Sequence, residues 1–229
     1  MRARMGLARR LVALPVAIAA AALLTVGVPH TIGVLISARA EPILRLLQDQ
    51  HLVETDKLRS LIAVLGQAQP WLRGGDARLD AGLAELVLAE QLPRGDPEAA
   101  QVLDQAIASL RAGLEREPAN PYAWSRLAYA EALKNGWTPL AVSSLRLALI
   151  TAPYEPPLLW SRLRMAFLAW PKMTSDDRDL VFPQIRYAWQ ANPQALARLA
   201  VDLRQENLVR AALLRVPEDG LAFEDLIKH

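Results

Sequence analysis

The chain has 229 residues, a formal net charge of +2 and no cysteine. The lack of cysteine excludes disulfides, thiolate metal sites and thiol nucleophiles, and the near balance of charge gives no indication of nucleic-acid binding. Hydrophobic residues make up 52% of the chain, and alanine and leucine dominate them, so the composition favours an all-α protein.

The first element is an uncharged apolar run over residues 11–36, which follows an arginine-rich tail over residues 1–10. A run of this length predicts a transmembrane signal anchor. Because basic residues remain in the cytoplasm, we expect the bulk of the chain to be periplasmic, in a single-pass protein of a bacterial inner membrane. The alternative is a cleaved signal peptide, with Ala38-Arg39-Ala40 as the cleavage site before Glu41.

Residues 37–76 are predicted to form a juxtamembrane helical linker. Leu58, Leu61 and Leu65 have helical spacing, and Gly74-Gly75 marks a boundary after them. A short coiled coil in this linker would make the protein a homo-oligomer, which stays open as an alternative.

Beyond residue 77, capping residues before prolines predict where helices begin. Asp96-Pro97, Asn120-Pro121 and Thr138-Pro139 each place a side-chain acceptor before a proline at the first helical position. Thr174 with Asp177 predicts a further helix start. Capping therefore explains the acidic cluster around Asp177 better than a metal site does.

A motif in the second half of the chain repeats at a fixed interval. Pro121-x-x-Trp124-Ser125-Arg126-Leu127 returns 36 residues later from Pro157, and after another 36 residues it returns in altered form as Pro193-x-x-Leu196-Ala197-Arg198-Leu199. A second signature, with small residues at helical spacing before a proline, follows each copy and precedes the first one. Its members are Ala106, Leu110 and Gly113, then Ala141, Leu145 and Ala148, then Val181, Ile185 and Ala188, and finally Val209 and Ala212. Fixed periods of this size are typical of stacked helical pairs.

These residues resemble the tetratricopeptide repeat, whose pattern one whole unit matches. The matching residues are Trp124, Leu127, Ala128, Ala141, Leu145, Ala148 and Pro153. The resemblance covers residues 77–217 and leaves 218–229 as a C-terminal tail. It implies a short α-solenoid of three to four helix–turn–helix pairs. The interval of 36 residues departs from the family's usual period of about 34.

In this family the first helix of each pair lines a concave face that binds peptides. The resemblance therefore implies partner-binding residues at Tyr122, Ser125, Arg126, Tyr129, Leu158, Ser161, Arg162, Met165 and Arg198. Arg126, Arg162 and Arg198 form an arginine row suited to carboxylates and phosphates. The alternative is that each pairs with an acid of the adjacent repeat, such as Glu131 or Asp202.

The sequence also predicts the environments of the second-helix arginines and of Trp137. The arginines of the second helices are expected to be ion-paired or solvated, and they are Arg111, Arg146, Arg186 and Arg210. Trp137 follows Asn135-Gly136 in a turn, where we expect it to be exposed and to contact a partner.

The sequence contains little that could perform catalysis. Its only histidines are His30, His51 and His229, which cannot form a metalloprotease motif or a catalytic triad, and no glycine-rich phosphate loop occurs. We therefore expect neither enzyme activity nor a cofactor or metal.

The expected function is that of a membrane-anchored periplasmic scaffold for a protein partner, which is itself a membrane or periplasmic protein. The expected setting is a cell-envelope machine for exopolysaccharide assembly or export. One alternative is a chaperone-like factor that binds extended peptides, similar to the repeat subunits of cytochrome maturation. Another is a module that binds an anionic glycan along the arginine row.

Overall fold

The computed structural model describes residues 23–25, 27–49 and 51–228. Within these ranges the protein is all-α and has no strand. Its helices are α1 (Leu23–Ser37), α2 (Glu41–Gln48), α3 (Thr55–Ala68), α4 (Asp76–Gln91), α5 (Pro97–Leu114), α6 (Pro121–Asn135), α7 (Pro139–Thr151), α8 (Leu159–Ala169), α9 (Ser175–Ala191), α10 (Pro193–Asp202), α11 (Glu206–Leu213) and α12 (Pro217–Ile227). Short 3₁₀ turns occupy Gln69–Trp71, Pro156–Leu158 and Trp170–Lys172.

The predicted membrane anchor is only partly within the described residues. The basic tail and residues 11–22 lie outside them, as does residue 26. Among the described helices, none alone has the length and apolarity needed to cross a bilayer. Together α1 and α2 meet that criterion, but they are bent by 60° relative to each other.

The predicted helix starts are confirmed by the hydrogen bonds of their caps. Asp96 accepts from the Glu98 amide at 2.8 Å, and Asn120 accepts from the Ala123 amide at 3.0 Å. Thr174 and Asp177 form a reciprocal capping box at the start of α9. Each cap satisfies a backbone donor that has no partner inside its helix.

Consecutive helices pack against each other and form a solenoid-like stack. The hairpins are α4–α5, α6–α7, α8–α9 and α10–α11, and α12 packs against the last of them. The repeated sequence motif marks the starts of the first helices α6, α8 and α10. This arrangement is compatible with a helical repeat fold.

Small residues allow the two helices of the α4–α5 hairpin to approach closely. A Cβ atom on Gly82 would lie 2.7 Å from Leu110 Cγ, and one on Gly113 would lie 2.6 Å from Leu79 Cγ. Each glycine therefore accommodates a leucine of the facing helix. The signature position Gly113 has the role that its small size predicts.

The predicted linker and the predicted C-terminal tail both pack against the helical domain. In the linker, α3 packs along α4 and buries Leu58, Leu61 and Leu65. At the other end, residues 218–229 were expected to be a tail, but α12 covers most of them and its Phe223 is fully buried against Trp189. Helical spacing of the leucines provides the face of α3 that packs, whereas Phe223 is the buried anchor of α12.

Three of the four second-helix arginines form ion pairs, as expected. Arg111 bonds the buried carboxylate of Glu131 at 2.7 Å, and Arg146 lies 3.5 Å from Asp177. Arg210 pairs with Glu224 of α12 at 2.5 Å. The first and third pairs join successive helices, and the pair of Arg146 with Asp177 joins α7 to α9. Glu131 is thus paired with a second-helix arginine and not with the first-helix row.

Candidate functional site

The first helices of successive hairpins present a surface that we call the first-helix face, formed by α4, α6, α8 and α10. On α6, Tyr122, Ser125 and Tyr129 lie one turn apart and so share one side of the helix. Arg126 is adjacent to them. Four of the residues predicted to bind a partner are therefore together, opposite the carboxylates of α4.

Tyr129 is the most exposed aromatic ring on this face. Its exposed fraction is 38%, and its hydroxyl donates to Glu90 of α4 at 2.5 Å. Partial burial and this carboxylate raise the pKa of Tyr129 to about 12. The bond fixes the ring between two hairpins, and the hydroxyl remains protonated at any physiological pH.

Tyr122 makes the corresponding link to the next hairpin. Its hydroxyl donates to Glu155, in the connection between α7 and α8, at 2.6 Å. The hydrogen bond to Glu155 raises the pKa of Tyr122 above its usual value. The ring also lines an open groove of about 550 Å³ along residues 116–122, so part of it is accessible to a bound molecule.

Arg126 is electrostatically coupled to Asp80 of the neighbouring α4. Burial lowers the pKa of Arg126, and the negative charge of Asp80 opposes that shift. Burial raises the pKa of Asp80 to about 6, Arg126 lowers it, and the nearby carboxylates Asp76, Glu41 and Glu117 raise it. The guanidinium therefore interacts electrostatically with an acid of the preceding hairpin, and several carboxylates surround that acid.

The Asp80 carboxyl is expected to titrate near pH 6 in the folded protein. Its folded pKa of about 6 exceeds the ordinary aspartate pKa of 3.8, so ionisation of Asp80 opposes folding. Below about pH 4 Asp80 is protonated in the folded and the unfolded state, so its titration does not change the free energy of unfolding. Between about pH 4 and pH 6 the unfolded state ionises first, and the free energy of unfolding falls until Asp80 is ionised in both states. Over this interval wild type should lose about 1 to 2 kcal/mol of stability relative to Asp80→Asn.

Carbon-detected NMR of the aspartate carboxyls measures the Asp80 pKa, and urea unfolding across this pH range measures the free energy of unfolding. Arg126→Gln should move the Asp80 midpoint upward, because the cation that lowers the pKa is then gone. A midpoint near 4, or a stability difference independent of pH, would contradict the effect of burial on Asp80, and an Asp80 midpoint that Arg126→Gln leaves unchanged would contradict the coupling.

Most of the residues predicted on α8 and on the 3₁₀ turn before it are buried, whereas Ser161 is exposed. Leu158 and Met165 are buried in the hydrophobic core, and the Ser161 hydroxyl donates to the carbonyl of Leu158 at 3.0 Å. Ser125 on α6 is also buried, and its hydroxyl has no hydrogen-bond partner among the described residues. A partner on this face would therefore contact α4 and α6 more than α8.

The arginine row does not form a line of exposed cations. Arg162 is 0% exposed, and its guanidinium donates to the carbonyls of Ala148 and Ala152 at the end of α7, at 3.0 and 2.6 Å. Arg198 is exposed on α10. The three equivalent sequence positions thus have three different environments: a coupled pair at Arg126, a buried helix cap at Arg162 and a solvated side chain at Arg198.

The carboxylates of this face, Asp80, Glu90 and Glu155, were not among the predicted site residues. The first hairpin is too degenerate in sequence to align with the repeated motif, so its face residues carried no signal. Trp137 is half-buried against the core and less exposed than expected. Helical spacing of Asp80, Leu83, Val87 and Glu90 would have identified one face of α4, although not its neighbour.

The described residues contain no cluster of three or more histidine, aspartate or glutamate side chains able to hold a metal ion. Comparison of the chain with protein-family models, with curated proteins and with solved structures finds no match.

Proposed function

We propose that the protein is a non-enzymatic scaffold, anchored in the bacterial inner membrane, whose tetratricopeptide-like domain binds a protein partner in the periplasm. The proposed setting is an envelope machine for polysaccharide assembly or export. That setting rests on analogy with other anchored helical-repeat proteins. The binding surface is the α4–α6 part of the first-helix face.

One observation carries the proposal: tyrosine side chains on this face are fixed between hairpins before any partner binds. Tyr129 bonds Glu90 of one neighbour, and Tyr122 bonds Glu155 of the other. Tyrosine offers a large contact area, and little conformational entropy is lost when its ring is already held. Stacked helices with such rings on one face are well suited to recognition.

The charges on this face favour a partner segment with basic residues. Asp76 and Glu90 are exposed, whereas Arg126 is coupled to Asp80 and Arg162 is buried. Charge complementarity to these carboxylates would select lysine or arginine beside an apolar or aromatic contact. This is the opposite sign to the anionic ligands that the arginine row implied, so we do not propose a glycan site.

The proposal is tested by placing a photo-reactive phenylalanine analogue at Tyr129 and, as a control, at Ser143 on α7, in cells of the native host. Ser143 is exposed on a second helix and so lies off the first-helix face. One discrete cross-linked protein is expected at Tyr129 and none at Ser143. Many unrelated products at Tyr129 would instead support the chaperone-like alternative, and equal products at both positions would exclude a specific face.

Reversing the charge of Glu90 gives a quantitative test with the captured partner. Glu90→Lys removes the acceptor of the Tyr129 hydroxyl and repels a basic segment, so affinity should fall by about tenfold, which corresponds to 1.4 kcal/mol. The matched control is Glu218→Lys on α12, an exposed carboxylate with the same change in charge. Equal effects of the two variants would show that only net charge matters.

A further inference from the structure

Several large apolar side chains near the start of the described chain are exposed. Val34 and Leu35 on α1 have exposed fractions of 47% and 65%, and Trp71 in the 3₁₀ turn after α3 has 41%. Leu52, between α2 and α3, is 98% exposed. Such a concentration of exposed apolar groups at one end of a domain calls for a partner or a membrane.

The last turns of α1 contact the segment that contains Trp71. Gly33 is buried, and a Cβ atom there would lie 2.7 Å from Leu72 Cδ2 and 2.9 Å from Trp71 Cβ. Only a glycine leaves room for this approach. Trp71 therefore lies beside the final turns of α1, although 38 positions separate Gly33 from Trp71 in the sequence.

The position of Gly33 in the apolar run sets the depth of this contact. The uncharged run ends at Ile36, and Arg39 is the first charged residue after it. In the proposed anchor, Gly33 is thus within one turn of the boundary between hydrocarbon and headgroups. Any side chain packed against Gly33 must lie at that boundary as well.

The residues around this contact have the chemistry of a membrane interface. Tryptophan is enriched at the level of lipid headgroups, because its ring is apolar and its N–H is polar. Arg39 follows α1 and Arg73 follows Trp71, and both are exposed. Their guanidinium groups suit lipid phosphates. The 60° bend between α1 and α2 turns the chain away from the anchor axis at the same level.

We propose that residues 69–73 form a membrane-contact segment, in which Trp71 inserts into the headgroup region beside the anchor and holds the helical domain against the outer leaflet of the membrane. The inference rests on the proposed anchor. Its consequence is a fixed orientation of the first-helix face relative to the bilayer, because α3 and α4 join this segment directly to that face.

Quenching by brominated lipid tests the segment in the full chain. The protein is reconstituted into phosphatidylcholine–phosphatidylglycerol vesicles with and without bromine on the acyl chains near the headgroup. Wild type should show a bromine-quenched share of tryptophan emission. Trp71→Phe should reduce that share severalfold, whereas Trp137→Phe, which changes a half-buried ring of the core, should leave it unchanged.

A second variant keeps Trp71 and removes the contact. Gly33→Leu should displace the segment from α1 and reduce the quenching, and circular dichroism reports whether the domain stays folded. The matched control is Gly27→Leu on the same helix, since a Cβ atom on Gly27 meets nothing within 4 Å. Quenching that is the same in wild type, Trp71→Phe and Gly33→Leu would overturn the inference.

Flotation of the vesicles distinguishes failure of the contact segment from failure of the membrane anchor. If the protein floats with the vesicles but Trp71 is not quenched, the anchor stands and the contact segment is wrong. If the protein does not float, the anchor and the contact segment both fail. Cross-linking at Tyr129 tests partner binding in either case.

Discussion

Arg162→Ala is expected to lower the free energy of unfolding by about 3 kcal/mol or more, the largest effect of any single substitution considered for this chain. The Arg162 guanidinium has no exposed surface and donates to the carbonyls of Ala148, Ala152 and Glu155 and to the side chain of Gln184. Alanine would leave those acceptors unsatisfied at the buried end of α7 and would open a cavity.

The neighbouring residue Arg164 provides the control. It lies on the same helix and is exposed. Arg164→Ala should therefore change stability by about 0.5 kcal/mol or less. Arg162→Lys should fall between the two alanine variants, because an ammonium group cannot reproduce the planar fork of donors.

Urea unfolding of the full chain, followed by far-UV circular dichroism, measures all three variants. Equal midpoints for Arg162→Ala and Arg164→Ala would contradict the capping role. If Arg162→Ala instead shows a separate transition at a lower urea concentration, only the α7–α8 connection has lost stability.

The helix starts were predictable because their causes are local. A cap such as Asn120 accepts from an amide three residues later, and the following proline already has a helical φ. Gly113 was likewise predictable as a close-approach position, because its sequence spacing places it on the buried side of α5. The all-α fold and the packing of helices in pairs follow from such local patterns.

The environments of Arg126, Arg162 and Arg198 were not predictable, although all three have the same place in the repeated motif. Arg126 is coupled to Asp80 because α4 precedes it in the stack. Arg162 is buried because a short connection of residues 152–158 brings the end of α7 to it. These neighbours depend on hairpin lengths and stacking, which a motif within one helix does not encode.

Packing at the two ends of the domain was likewise not predictable from the sequence. The spacing of Leu58, Leu61 and Leu65 predicted a helix in the linker but not the surface on which it packs. The segment that contains Phe223 was predicted to be a tail because the repeat resemblance ends before it, yet one fully buried ring joins α12 to the core. A single apolar anchor has too little periodicity to be recognised in sequence.

Gly113→Ala is expected to destabilise the protein by about 2 to 3 kcal/mol, although alanine is the better helix former. The added Cβ would lie 2.6 Å from Leu79 Cγ and 3.2 Å from the Leu79 backbone nitrogen. A branching carbon and a helix backbone cannot move aside as the tip of a flexible side chain can. The α4–α5 hairpin would have to separate, and the first-helix face would lose its support beneath Asp80 and Glu90.

Gly66→Ala, on α3, is expected to change the stability of the protein in the opposite direction. Gly66 is exposed inside a helix, and nothing lies within 4 Å of an added Cβ, so alanine should stabilise by about 0.5 to 1 kcal/mol through helix propensity alone. The comparison therefore separates packing from propensity at two helical glycines of one chain. If urea midpoints rise in both variants, the two hairpin helices are not in close contact at Gly113. Midpoints that fall at Gly113 and rise at Gly66 mean that the small residue is required by the facing helix.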